Sequence, residues 1–173
     1  MRHALILHPD SIAPAITIEA EAERALGGLL GVRFVVTGDI GAILLPQRAE
    51  PERTDDLWKH TCFEAFVRTP TAPAYYELNL APSTQWAAYV FSDYRTGMAP
   101  ADDIAAGIEA TESEGRHELT AVTSLPLDGP WLMGLSAVIE DKQGGKSYWA
   151  LAHALGKPDF HHSDCFAATL PPA

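Results

Sequence analysis

Two neighbouring segments decide the fold class of this chain: residues 61–68 read TCFEAFVR, and residues 75–81 read YYELNLA. In both, apolar side chains alternate with mostly polar ones at a period of two, the pattern of a strand with one face in a core. Two prolines within residues 69–73 separate the segments and favour a turn. We therefore predict an antiparallel hairpin at this point of the chain.

The same alternation continues on both sides of the hairpin, interrupted by clusters of Gly, Pro and Asp. The other predicted strands are residues 16–22, 32–37, 85–94, 104–111, 116–124, 132–140 and 147–153. Residues 16–26 also have high helix propensity, and residues 40–60 are expected to form a long, functional loop. With nine to eleven strands and no convincing amphipathic helix, the pattern predicts an all-β antiparallel sandwich, immunoglobulin-like or jelly-roll. A single domain is expected over residues 1–173.

The amino-acid composition argues against two classes of binding partner. The 173 residues include 12 Lys and Arg against 23 Asp and Glu, a formal net charge of −11. This balance argues against binding of nucleic acid or of an anionic membrane surface, because both need clustered basic side chains. No apolar stretch has the length of a secretory signal or of a membrane span. A cytoplasmic location is therefore expected.

The two cysteines, Cys62 and Cys165, are too few for a disulfide scaffold or a Cys-rich zinc site. We predict that both are buried free thiols. A single bridge between an early strand and the last one is the alternative.

The polar face of the predicted hairpin carries Glu64, Glu77 and Asn79, which would lie side by side, and Trp58 precedes its first strand. An indole packs on the C–H face of a sugar ring, and carboxylate and amide groups bind adjacent hydroxyls. The predicted function is thus non-catalytic binding of a small neutral carbohydrate or a similar polar ligand. In the alternative, structural interpretation, Trp58 caps the sandwich edge and Glu64 pairs with Arg68.

Further aromatic residues lie in residues 147–153, which read SYWALAH. Trp149 and Tyr148 point to opposite faces of that strand, so one of them is expected to enter the core. Trp86 and Trp131 begin strands and are predicted to be packing residues.

Residues 157–166, KPDFHHSDCF, are the most unusual segment of the chain. We predict that residues 159–164 form a loop that closes one side of the ligand site, with His161 in contact with the ligand. His161, His162 and Asp164 are weaker candidates for metal ligands, because adjacent residues could chelate one ion only from a turn. No resident cofactor is expected.

Catalytic signatures are weak throughout. The chain has no G-x-S-x-G sequence and no glycine-rich phosphate loop. Glu64 and Glu77 could form an acid–base pair across the hairpin, but paired carboxylates on a sheet face are common without catalysis. We therefore do not expect an enzyme.

Four strings together carry a family resemblance: DLWKHTCFEAF (56–66), YYELNLAPS (75–83), QWAAY (85–89) and PDFHH (158–162). They resemble the DOMON-like group of bacterial proteins, which is related to family 9 carbohydrate-binding modules. The match covers residues 55–166. The resemblance implies a β-sandwich whose relatives bind sugars or haem.

For the site, the resemblance implies that Trp58 and Glu64 form one wall and one polar anchor of a sugar pocket. It also implies a further polar contact from Glu77 or Asn79 and a second aromatic wall, for which Trp149 is the candidate.

Two alternatives to sugar binding stay open. In the first, the domain is a haem-binding or redox module. An axial ligand of the haem would then be Met98 or Met133, the only internal methionines. In the second, the domain binds a protein, including a second copy of itself as a homodimer, through exposed Trp58 and Trp149.

Overall fold

The computed structural model describes residues 2–173, within which thirteen strands and four single 3₁₀ turns are formed. The strands are β1 (Arg2–Ala4), β2 (Ile6–Leu7), β3 (Ile16–Ala25), β4 (Leu29–Gly38), β5 (Cys62–Arg68), β6 (Tyr75–Leu80), β7 (Trp86–Phe91), β8 (Ala99–Pro100), β9 (Ala106–Ser113), β10 (Arg116–Ser124), β11 (Trp131–Glu140), β12 (Lys146–Ala150) and β13 (Ala168–Leu170). The turns are Leu26–Gly28, Ile40–Ala42, Leu57–Lys59 and Ser163–Cys165.

The strands form two antiparallel sheets. One has five strands in the order β1-β3-β4-β10-β9, and the other has eight, in the order β2-β12-β11-β5-β6-β7-β8 with β13 paired to β11. This confirms the predicted all-β antiparallel sandwich. The predicted hairpin is β5–β6, whose register sets Glu64 opposite Asn79 and Phe66 opposite Glu77.

The main core lies between the two sheets and is filled by the inward side chains of both. Phe34 on β4 stacks on Phe63 on β5 with ring centroids 5.0 Å apart, and Trp131 on β11 is fully buried in the same core. Trp86 packs against this core only partly buried.

A second apolar cluster covers the opposite face of the eight-stranded sheet. Phe66 and Tyr75 from the hairpin pack there with Phe160 and Phe166 from the C-terminal segment. As a result β5 is buried on both faces, and the polar face predicted for the hairpin is an interior surface. This covering layer creates the concave region in which the candidate site lies.

Several strand ends differ from the predicted ones by a few residues, and the shortest edge strands were missed. Residues 16–22 are a strand, which continues to Ala25, and residues 116–124 match β10 at both ends. The predicted strand 147–153 ends earlier, at Ala150. The short strands β1, β2, β8 and β13 were not predicted, because two or three residues cannot show a periodic pattern.

Both cysteines are free and buried, as predicted. The Cys62 thiol lies 3.7 Å from Oδ1 of Asn79, and the Cys165 thiol donates to the carbonyl of Asp159 at 3.2 Å. Each thiol is therefore held in a different part of the structure. Across residues 2–173, no helix has the length and apolarity that a membrane span requires.

Candidate functional site

A cavity of about 520 Å³ lies over the outer face of the eight-stranded sheet. Its floor is formed by strand residues Glu64, Glu77, Tyr89, Phe91, Val138 and Tyr148, and its sides by Asp56, Trp58, Arg95, Met98, Lys146, Pro158, Phe160 and His161. The volume falls within the range of about 300–1,000 Å³ that is typical of small-molecule sites. The sheet fixes the floor, and three loops supply the sides.

Two buried carboxyl groups dominate the floor. Glu64 is 3% exposed and accepts a hydrogen bond at 3.3 Å from Oγ of Ser136 on the neighbouring strand. Glu77 is 6% exposed and accepts one at 2.8 Å from Nδ2 of Asn79. Burial, and then repulsion from Glu77, raises the pKa of Glu64 well above its usual range. Burial likewise raises the pKa of Glu77.

Asn79 stands beneath the cavity surface. Its side chain is almost fully buried, with Nδ2 on Glu77 and Oδ1 facing the Cys62 thiol. Asn79 was predicted to contact the ligand. In the structure it orients a lining residue and does not itself line the cavity.

Trp58 lies at the cavity mouth on the turn Leu57–Lys59 and is 49% exposed. The turn begins after Asp56, whose φ of 66° is left-handed. The Lys59 ammonium binds the Asp56 carboxylate at 2.7 Å and lies 5.6 Å from the centroid of the Trp58 ring. These contacts hold a large aromatic surface at the entrance, on the same cavity as Glu64 and Glu77.

The assignment of Trp149 as the second aromatic wall is wrong. Trp149 is only 6% exposed, packs in the core between the sheets, and donates from Nε1 to Oγ of Ser147 at 3.0 Å. Its neighbour Tyr148 points to the opposite face and lines the cavity, with its ring centroid 6.1 Å from that of Phe160. The aromatic side chains that line the cavity from β12 and the C-terminal loop are therefore Tyr148 and Phe160.

His161 joins the C-terminal loop to the hairpin. Its Nδ1 lies 2.8 Å from Oη of Tyr75, and that hydroxyl accepts a hydrogen bond from the backbone N–H of Arg95 at 3.2 Å. When the Tyr75 hydroxyl donates its proton to Nδ1, the ring N–H of neutral His161 is on Nε2, the atom that faces Glu77. Burial, reinforced by Arg95, lowers the pKa of His161 to about 4, so the ring is neutral at physiological pH.

Arg95 was not predicted as a site residue. It has a left-handed backbone with φ of 50°, and its Nη2 and Nε donate to Oδ1 of Asp159 at 2.8 and 3.2 Å. The Tyr94 hydroxyl donates to Oδ2 of the same carboxylate. We call these three residues the Asp159 clasp; they tie the loop after β7 to the C-terminal loop across the cavity.

The structure does not bring the candidate metal ligands together. His161 faces Glu77, whereas Nδ1 of His162 accepts a hydrogen bond from the backbone N–H of Asp164 at 3.2 Å. Both rings line a second cavity of about 290 Å³, and of the two His161 alone also lines the candidate site. Among residues 2–173, no group of three or more His, Cys, Asp or Glu side chains is arranged to hold a metal ion.

Glu64 does not pair with Arg68, the partner considered for it on its own strand. The Arg68 guanidinium donates to the carbonyl of Ala72 at 3.4 Å and lies 5.1 Å from the ring centroid of Phe166. Glu64 faces the cavity instead.

No protein-family model matches the chain, and no curated protein matches it. Solved structures of similar fold do. A candidate carbohydrate-binding protein from Bacteroides uniformis ATCC 8492 aligns at a TM-score of 0.69 and 14% identity, over 99% of this chain and 85% of that one.

Two structures of a family 9 carbohydrate-binding module from Caldicellulosiruptor kristjanssonii are also similar. The complex with cellotriose aligns at a TM-score of 0.60 and 8% identity, covering 99% of this chain and 81% of that one. The complex with glucose aligns at 0.54 and 9% identity, covering 93% and 78%. At these identities the likeness shows that the chain has the β-sandwich fold of those proteins. The DOMON-like assignment stays a prediction.

Proposed function

We propose that the protein is a non-catalytic module that binds a small carbohydrate in the 520 Å³ cavity. The observation that carries this proposal is that Trp58, Glu64 and Glu77 line one concave surface, although they come from a turn and two different strands. The sugar ring would lie against the indole of Trp58, with its hydroxyls directed at the carboxyl floor.

The chemistry of the lining supports a sugar. Aromatic faces bind the apolar C–H surfaces of a sugar ring, and rigid aromatic side chains lose little conformational entropy on binding. The carboxyl groups of Glu64 and Glu77 are already held by Ser136 and Asn79, so their orientation is fixed before the ligand arrives. A buried, preorganised set of polar groups gives selectivity for a ligand that hydrogen-bonds to all of them.

The comparisons support the same class of ligand. The solved neighbours of family 9 were crystallised with glucose and with cellotriose. An anionic sugar is disfavoured, because its charge would face Glu64 and Glu77 in a site of low dielectric.

A titration followed by tryptophan fluorescence tests the proposal. Glucose and cellotriose are the first probes, and Trp58→Ala is the test variant. We expect a saturable change in wild type that is lost in the variant, because Trp58 is the tryptophan that lines the cavity. The control is Leu26→Ala, an exposed apolar residue on the β3–β4 turn, outside the cavity lining. A wild type that shows no response, or a Trp58→Ala variant with full response, would contradict the proposal.

The haem alternative does not fit the residues present. Met133 is fully buried in the core, so only Met98, at the cavity mouth, could reach a ligand. The one histidine in the cavity wall, His161, is bound through Nδ1 to Tyr75 and faces the Glu77 carboxyl through Nε2. A floor of buried carboxyl groups is also unfavourable for an apolar porphyrin face. The protein-interaction alternative loses one of its two anchors, because Trp149 is in the core.

A further inference from the structure

Within residues 2–173, no cationic side chain is bonded to either carboxyl group of the cavity floor. Glu64 is bonded by the neutral hydroxyl of Ser136, and Glu77 by the neutral amide of Asn79. The nearest titratable base to Glu77 is His161, whose Nε2 lies 3.8 Å from Oε2. That distance exceeds a hydrogen bond, and the ring is neutral.

The other charges around the cavity are already paired within its walls. Asp56 binds Lys59 at 2.7 Å, and Asp159 binds Arg95 at 2.8 Å. Lys146, at the mouth, is exposed to solvent, where its charge is strongly screened. The Arg95 charge still reaches the floor, where it opposes the effect of burial on the pKa of Glu77. The acidity that no direct ion pair balances is that of Glu64 and Glu77.

The remaining lining also suits a positive charge. The cavity has five aromatic side chains: Trp58, Tyr89, Phe91, Tyr148 and Phe160. A cation within about 6 Å of an aromatic face is attracted by the quadrupole of the ring. The formal net charge of −11 adds a long-range field that attracts cations to the protein surface.

We propose that the carbohydrate bound here is an amino sugar with a free basic amine, whose ammonium group lies at the floor between Glu64 and Glu77. This inference rests on the proposed carbohydrate-binding function and narrows its ligand class. An ammonium group carries three N–H donors and no acceptor, which matches two carboxyl groups with free acceptor capacity. Burial favours the neutral form of both groups in the free protein, and the positive charge of the bound ammonium favours their ionised form. The sugar hydroxyls and ring would make the same contacts with the aromatic walls as in a neutral sugar.

A three-sugar comparison by isothermal titration calorimetry tests this assignment at neutral pH. The probes are glucosamine, whose amine is largely protonated there, N-acetylglucosamine, in which the amine is a neutral amide, and glucose. We expect glucosamine to bind at least about tenfold more tightly than glucose, the effect of charge-assisted hydrogen bonds in a desolvated site. N-acetylglucosamine should show no such advantage.

Two variants then test whether the floor glutamates cause the preference for glucosamine over glucose. Glu64→Gln and Glu77→Gln preserve size and remove one charge each, and thermal melts confirm that they fold. In both, the ratio of glucosamine to glucose affinity should fall to within about threefold, a loss of most of the charge-assisted contribution. The matched control is Glu109→Gln, which removes one charge from the exposed face of β9, away from the cavity. The ratio should be unchanged in this control.

The outcomes separate the two proposals. Equal affinity for glucosamine and glucose, or a preference that survives in Glu64→Gln and Glu77→Gln, overturns the amino-sugar assignment and leaves carbohydrate binding intact. An equal loss of preference in Glu109→Gln also overturns it, because the effect would then be one of overall charge. If none of the three sugars binds, the proposed function fails and the assignment fails with it.

Discussion

Nε2 of His161 lies 3.8 Å from Oε2 of Glu77, which sets a residue of the C-terminal loop directly over the floor of the eight-stranded sheet. The two residues are far apart in sequence and are aligned by Tyr75, whose hydroxyl lies 2.8 Å from Nδ1 of His161. The cavity is therefore complete only when the C-terminal loop is packed on the β5–β6 hairpin. Ligand affinity should depend on residues that hold this loop as well as on those that touch the ligand.

Adjacent side chains on β12 point to opposite faces of the sheet. Substitution of one of its two aromatic residues should therefore affect ligand affinity, and substitution of the other should affect stability. Tyr148→Ala should weaken sugar binding by about fivefold or more, because it removes an aromatic side chain from the cavity. Trp149→Phe should lower the free energy of unfolding by about 1–3 kcal/mol, since Trp149 packs between the sheets, and leave affinity unchanged. Calorimetry and urea denaturation of both variants check this. A Trp149→Phe variant with reduced affinity and normal stability would contradict the structural assignment.

Ionisation of Glu64 should destabilise the fold at higher pH. Burial raises the pKa of Glu64 above that of an unfolded glutamate, about 4.3, so its favourable contribution is complete below that pH. The contribution is lost as pH rises through the folded-state pKa. Glu64→Gln should therefore raise Tm more at pH 8 than at pH 5, by about 2–4 °C for each kcal/mol gained. Thermal melts across this range measure the difference, with Glu109→Gln on the exposed face of β9 as control. A gain that is independent of pH would rule out this origin.

His117 should make the fold sensitive to acid. Its side chain is 3% exposed and lies in the core, parallel to Phe63 with ring centroids 6.0 Å apart, and neither ring nitrogen has a hydrogen-bond partner in the described part of the chain. Burial lowers the pKa of His117 below the unfolded value of about 6.5. Its contribution to stability is present above that pH and is lost as pH falls toward the folded-state pKa.

The variant His117→Leu tests this origin by replacing the ring with an apolar side chain. It should stabilise the protein by about 1–3 kcal/mol, because it removes unsatisfied buried polar atoms. It should also reduce the fall in stability between pH 7 and pH 5, leaving the part that His161 contributes. Urea denaturation at both pH values is the measurement, and an unchanged pH dependence would show that His117 is not responsible.

The Asp159 clasp should control loop order more than global stability. Asp159→Ala removes the acceptor for both Arg95 and Tyr94, and the Arg95 side chain is half exposed, so the loss of stability should stay within about 1 kcal/mol. Amide protection in residues 92–98 and 158–164 should fall, and affinity should fall several-fold as the cavity wall loosens. Hydrogen exchange of the variant and of Arg95→Ala tests this. Unchanged exchange in both loops would show that the clasp is not required.

Local sequence patterns predict much of the fold. They cannot predict contacts between segments that are distant in sequence, or strands that are too short to show a period. Alternation in residues 61–68 and 75–81 was sufficient to predict the β5–β6 hairpin, because it reports a core on one side. It could not show that Phe66 is covered on the other side by Phe166, since that contact depends on the distant C-terminal segment. Edge strands as short as β8 leave no periodic signal.

For the site, the local sequence pattern identified the candidate residues on and next to the hairpin. It did not identify the residues from distant parts of the chain that contact them. Trp58 was singled out by its place directly before the hairpin and Glu64 by its place on the hairpin's polar face, and the structure sets both on one cavity. Strand parity separated Trp149 from Tyr148 but did not reveal which of them faces the core. Arg95 was missed because its role comes from Asp159, 64 residues away.

A ¹H–¹⁵N NMR titration of the tryptophan indole groups tests sugar binding at this cavity most directly. The chain has four tryptophans, of which Trp58 lines the cavity, whereas Trp131 and Trp149 are buried in the core and serve as internal references. On addition of glucose or glucosamine, we predict a saturable shift of the Trp58 indole signal while the signals of Trp131 and Trp149 stay in place. A saturated titration in which Trp58 does not move, or in which only the core tryptophans move, would contradict the proposed site.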